Sequence, residues 1–449
     1  MNNAKTFRSL LSVLVIACAL MMPASAFSAE ENAQPAAQQA APAEQPKADA
    51  AAAPAAAEQP KAEAAAPAAA PAAAEQPKAE TAAPAAAEQP KAAPAVAEGV
   101  TNARLKAAIE SAHKDGKLDA AAPKGFLGIP GAPNVNIILA FCWAIWVGWI
   151  FSSVGAFGGV MASVGHISVF GLGDYAASFG KGTPMNKLVT DSIRVSNQWL
   201  VGTSSLISSV KYWTLGRIVL PLGITLGIGS LAGSILTPIL SQGKISFRDY
   251  VGYFGIFVLG LGLYLLWQTL PAARAKKAKA NEAAKAFEAL AKQNQDNTTG
   301  SRVKVLGISA TKISFSFCGI DFSFNPIMPI IGGFVIASAA SFLGVGGGFL
   351  LVPLLTSAAQ LPMYLAAGTS AFAVLIGMVT SITTFMFGGT PVYWSLIGIE
   401  LVGVVIGSWV GPLTSKYISD IWLKRLFVVV ALIVGVNYVL RGFFGMRLW

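Results

Sequence analysis

Gly344-Val345-Gly346-Gly347-Gly348-Phe349-Leu350-Leu351-Val352-Pro353 puts four glycines into five residues of an otherwise apolar stretch. Each glycine weakens a helix by about 1 kcal/mol relative to alanine, so one helix is expected to stop here and another to restart. The restart leaves backbone NH groups without intrahelical acceptors at the positive end of a helix dipole, where no side chain blocks approach. In lipid, such a break is tolerated only where protein or a polar cavity meets the freed groups. The stretch therefore reads as a broken membrane helix carrying an anion site. The competing reading is close helix packing through small residues, which we assign to Gly223 and Gly227.

The arrangement occurs twice. Ser152-Ser153-Val154-Gly155-Ala156-Phe157-Gly158-Gly159 aligns with Ser341-Phe342-Leu343-Gly344-Val345-Gly346-Gly347-Gly348 at an offset of 189 (344 − 155). Further on, Thr190-Asp191 aligns with Thr369-Ser370 at 179 (369 − 190), so the first copy carries about ten extra residues within 165–187. Apolar segments near 134–153, 197–215, 217–240, 250–270, 326–343, 365–388, 395–412 and 424–441 match the roughly 20 residues that a bilayer requires. The expected fold is an all-α integral membrane protein of two repeated helical units, 134–271 and 326–449, with about eight crossings and more where helices break or re-enter.

Composition agrees. Of 449 residues, 12% are charged and 54% hydrophobic, and soluble domains carry about twice that charged share. Lys+Arg 32 against Asp+Glu 22 gives a net charge of +10, with a basic cluster from Arg274 to Lys312 in the 272–325 loop between the units. Basic loops of apolar chains favour the cytoplasm, so the implied partner is the lipid bilayer and not nucleic acid. An even number of crossings after an exported N-terminus would put that loop outside. A crossing near 160–171 would restore the sign and make the repeats inverted. Cys18, Cys142 and Cys318 are scattered, and His113 and His166 are the only histidines. That set builds no metal centre, no cofactor is expected, and the absence of a P-loop and of paired carboxylates in the spans argues against an enzyme.

Lys5 and Arg8, the apolar run 9–22 and Ala24-Ser25-Ala26 read as a signal peptide over 1–26. Val15-Ile16-Ala17-Cys18 offers lipidation as the alternative. Residues 27–98 are almost wholly Ala, Pro, Glu, Gln and Lys and form no core. They are expected to be a periplasmic spacer, about 200 Å long in polyproline II form, acting as a tether with envelope contact as the alternative. Within 99–133 a short helix follows, with Thr101 as N-cap and Leu105, Ala108, Ile109 and Ala112 on one face.

The anion site is expected at Gly155, Gly158, Gly159, Ser153 and Thr190 in the first copy and at Gly344, Gly346, Gly347, Gly348, Thr369 and Ser370 in the second. Neutral donors suit a transported oxyanion, which a strong permanent charge would retain. Glu400 lies about 9 Å beyond Trp394 along a helix, too deep to reach water easily, and is a proton-coupling candidate, with a merely ordering pair as the alternative. Asp191 and Arg194 are three apart and are expected to pair at the mouth, as a solvated surface pair, with Arg194 attracting anions as the alternative.

The run from Gly344 to Leu355, Gly368-Thr369-Ser370 opening the next helix, and the two-fold arrangement resemble the TauE/SafE family, the sulfite exporter group. The similarity covers about 134–442; in the first copy Phe157 interrupts the glycines and Val164 replaces the proline. The resemblance implies an inner-membrane permease for a small anion such as sulfite or an organosulfonate, working by alternating access. A homo-oligomer is compatible with this composition. An envelope scaffold with a non-transporting membrane domain is the alternative function.

Overall fold

The computed structural model describes residues 100–154, 157–269, 303–317, 319–357, 361–414 and 420–446. The expected signal peptide, the spacer, Cys18, Cys318 and Gly155 lie outside the described residues. The rest is mainly helical. The first half comprises α1 (Ala103–Lys114), α2 (Ile137–Val154), α3 (Gly158–Val164) running into a π turn (Gly165–Val169), α4 (Leu172–Ser178), α5 (Pro184–Thr214), α6 (Leu220–Ser241) and α7 (Phe247–Thr269). The second half comprises α8 (Ile327–Leu343), α9 (Gly348–Ser357), α10 (Met363–Phe387), α11 (Trp394–Thr414) and α12 (Asp420–Val439).

Among the described residues, five helical stretches are long and apolar enough to cross a membrane: Leu220–Ser241, Phe247–Trp267, Leu365–Phe387, Trp394–Gly411 and Phe427–Phe444. Ile137–Ser153, Gly158–Val169 and Ile327–Leu343 are apolar but shorter. Helix α5 differs from all of these. It begins at Pro184 behind the Thr183 N-cap, well before the apolar segment at 197, and every residue from Thr190 to Gly202 is buried. Its polar side chains are thus enclosed by protein and spared contact with lipid.

Without a hydrophobic force between helices in lipid, close backbone packing must hold the bundle, and glycine permits it. A Cβ on Gly407 of α11 would lie 2.0 Å from the Ile145 carbonyl oxygen of α2, and one on Gly229 of α6 would lie 1.9 Å from that of Ile330 of α8. Gly435 of α12 meets the Leu259 backbone of α7 in the same way. Gly223 and Gly227 serve packing too, against Phe372 and Ile376 of α10. The pairs α2 with α11, α8 with α6, α7 with α12, α10 with α6 and α10 with α5 make the principal contacts, each joining one half to the other.

An all-α architecture needs one correction. β1 (Lys304–Ile308), β2 (Ile313–Phe317) and β3 (Ile320–Phe324) form an antiparallel sheet in order β1-β2-β3 within the loop between the halves. Ile313, Phe315 and Phe317 alternate with serines and are buried, the period-two pattern of a half-covered strand. The face expected of α1 is the buried one, but its cap is Asn102, whose side chain accepts from the Leu105 amide at 3.0 Å, and not Thr101. That helix lies against α5, and Asn102 and Arg104 donate to the carbonyls of Gly389 and Gly388, each at 3.1 Å.

Candidate functional site

Both glycine-rich stretches interrupt a helix. Helix α8 ends at Gly344, whose φ of 71° and that of Gly346, 70°, lie in the left-handed region open to glycine. Among the described residues, the amides of Gly346, Gly347 and Gly348 at the start of α9 have no acceptor. At the first break the residue before α3 is Phe157, also left-handed at φ 67° despite its side chain, which stacks on Phe427 at 4.3 Å. Phe157 stands 189 residues before Gly346 (346 − 157), so the alignment pairs two residues of one backbone conformation.

The breaks touch. A Cβ on Gly159 would fall 1.5 Å from the Val345 carbonyl oxygen. Gly344 packs on the backbone of Arg194, Gly346 against Val201, and Gly158 against Phe151. Beside Gly347, Ile336, Ala340, Ala373 and Met378 line a cavity of about 10 Å³, room for roughly one water molecule. The described conformation is closed at this level.

Asp191 and Arg194 do pair, but not on a solvated surface. Arg194 Nη1 donates to Asp191 Oδ1 at 3.0 Å with both side chains at 1% exposure or less. Two partners from distant segments enclose them: the Gly243 amide donates to Asp191 Oδ2 at 2.6 Å, and Arg104 Nη2 reaches the same oxygen at 3.5 Å. Arg194 Nη2 donates to Ser241 Oγ at 2.8 Å and to the Ser341 carbonyl at 3.3 Å, and the guanidinium lies 4.7 Å from the Phe385 ring centre. Its Nε and the neighbouring Ser341 hydroxyl have no partner. Among the described residues, two arginines therefore converge on one carboxylate and leave one positive charge uncompensated.

Glu400 is wholly buried and faces His166 Nε2 across 3.2 Å. The contact lacks hydrogen-bond alignment, so neither Glu400 oxygen has a hydrogen-bond partner. Sequence reasoning set His166 aside because it asked only whether histidines cluster as metal ligands. The usable signal was a lone histidine beside an apolar span.

The hydroxyls expected to serve the anion are largely committed to backbone. Thr190 donates to the Asn186 carbonyl at 2.7 Å and Ser370 to that of Ala367 at 3.0 Å, while Thr369 accepts from the Val219 amide at 3.1 Å. Only Ser153 of that set has an unpartnered hydroxyl. Buried donors that the sequence did not single out, Ser196 and the Trp199 indole on α5, also have none.

The family model described as "Sulfite exporter TauE/SafE" matches residues 139–438. The chain is 24% identical over 262 residues to "Probable membrane transporter protein YunE" of Bacillus subtilis, covering 57% of this chain and 84% of that protein. It is 32% identical over 115 residues to a "Probable membrane transporter protein" of Methanocaldococcus jannaschii, 24% of this chain and 43% of that one. A protein of the same description from Xylella fastidiosa is 32% identical over 108 residues, 23% and 41% of the two chains. No solved structure matches.

Proposed function

Because this multi-pass membrane protein belongs to the sulfite exporter TauE/SafE family, we propose that it is a secondary transporter of small sulfur-containing anions, sulfite or organosulfonates. It sits in the inner membrane, with the N-terminal spacer periplasmic and about eight crossings. The observation that carries the anion reading is the excess positive charge where Arg104 and Arg194 share Asp191, one residue contact from the second break. Arg194 is wholly buried and Arg104 is 32% exposed, so the extra positive charge is reachable from solution and attracts an anion toward the break. The free amides of Gly346, Gly347 and Gly348 offer an oxyanion further donors.

The half-to-half packing supports two repeats moving against each other: α2 on α11 and α8 on α6 are the same pairing with the copies exchanged, and α5 with α10 and α7 with α12 are self-equivalent. Gly159 and Val345 hold the two breaks in contact, and on this reading passage requires the breaks to part. The exchanged pairing of the halves supports alternating access.

Flux into liposomes holding the purified full chain tests the reading, using labelled sulfite, sulfoacetate, thiosulfate and sulfate. Uptake of at least one sulfur anion well above protein-free liposomes is expected, and uptake of none would overturn it. Removing residues 34–98 should change that flux by less than about twofold, since a tether contributes no donor to the site. No flux in either form, with envelope attachment lost on deletion, would favour the scaffold.

A further inference from the structure

We propose that His166 and Glu400 together form a single proton-binding site bridging the two halves, and that the proton it exchanges drives the anion; this rests on the transporter reading above. The geometry determines which atom can change its proton. His166 Nδ1 lies 2.7 Å from Asn197 Oδ1 and 3.1 Å from the Ala162 carbonyl. A carbonyl only accepts, so Nδ1 carries a hydrogen and donates. Asn197 is held in turn by its Nδ2 donating to Ser163 Oγ at 2.8 Å. Nε2 is then the free end of the ring, and it faces Glu400 Oε2.

With the halves together, the pair can share one proton as imidazole with carboxylic acid or as imidazolium with carboxylate, both neutral overall. His166 sits on the π turn after α3 and Glu400 on α11, so parting the halves separates them. Opened to one side, Glu400 binds one proton from that solution, and closing lets the pair share it between Oε2 and Nε2. Opened to the other side, the pair gives up that same proton to solution and returns without it. Proton and charge balance: one proton is bound to a carboxylate oxygen on one side and released on the other.

The groups packed around the pair do not replace it. Tyr250 of α7 lies beside Ser163 and Asn197, with its hydroxyl donating to the Leu343 carbonyl at 2.9 Å. Tyr438 of α12 bonds Ser168 at 2.8 Å, and Arg194 with Asp191 stands about one turn before Asn197 on α5. The tyrosines are buried donors, and the ion pair already holds its proton balance internally. At the offset of 189 His166 aligns with Leu355, and the second half holds no histidine, so one proton per cycle is expected and not two.

The test compares two modes in liposomes with wild type, His166→Gln and Glu400→Gln, using the sulfur anion that wild type moves. A pH gradient should accelerate wild-type uptake. Both variants should lose that acceleration on the order of tenfold, yet exchange labelled for unlabelled anion at equal pH within about twofold of wild type. Gradient-driven uptake unchanged in either variant, or exchange lost along with it, would overturn the proposal, the latter by showing a structural role only. Wild type that transports but ignores pH overturns the dyad alone; wild type that moves no anion overturns the transporter reading with it. A second measurement needs no variant: with ¹⁵N-histidine, one of only two histidines in the chain should keep Nδ1 protonated while Nε2 gains and loses a proton as pH is varied. A bare Nδ1, or no titration, counts against the site.

Discussion

Arg194→Gln is expected to abolish anion flux and to lower the stability of the folded protein by about 3–5 kcal/mol. The reason is what it leaves behind. Asp191 is 1% exposed, and without its partner at 3.0 Å it keeps only the Gly243 amide and the more distant Arg104. Loss of the contact between the guanidinium and the Phe385 ring adds about 0.5–2 kcal/mol. Adding Asp191→Asn to the same chain should recover most of the stability, because a matched neutral pair buries no lone charge, but it should not recover flux. Thermal unfolding in detergent and uptake in liposomes separate the two effects. A single Arg194→Gln protein as stable and as active as wild type would remove this pair from both structure and transport.

Gly159→Val should be nearly as damaging for a different reason. Its first added atom would stand 1.5 Å from the Val345 carbonyl oxygen, and backbone cannot swing aside as a side chain can. Overpacking of this kind costs about 1–3 kcal/mol and should hold the two breaks apart, so flux is expected to fall by on the order of tenfold or more. Gly398→Ala is the matched control. No atom lies within 4 Å of its added carbon, and alanine favours helix α11 by about 1 kcal/mol, so flux should be unchanged and the melting temperature slightly higher. Equal behaviour of the two variants would mean that the contact between the breaks is immaterial.

Reading the chain by apolar length located helices well where lipid sets the composition. The segments at 217–240 and 395–412 lie within three residues of α6 and α11 at either end. The same rule clipped α5, because residues 184–196 are polar yet enclosed by protein; the Thr183-Pro184 start signal was there to be used. The sheet at 304–324 escaped notice because its charge was counted and its alternation was not. At the site, spacing alone sufficed to pair Asp191 with Arg194, three residues apart. Their burial depends on Arg104 and Gly243, 87 and 52 residues from Asp191, which no local pattern reveals. Glu400 declared itself as a lone acid in an apolar run, whereas its partnership with His166 exists only after folding.

The two breaks share a left-handed residue, but one presents glycine and the other a phenyl ring clasped on Phe427. Glycine swivels freely between backbone conformations, while a bulky residue kept left-handed at a cost of about 1–2 kcal/mol stays put only as long as its ring is gripped. One door thus hangs on an oiled hinge and the other on a latch. On the transporter reading proposed above, such unequal doors leave the direction of net movement to the gradients on either side, and the latched one is expected to be the slower to open.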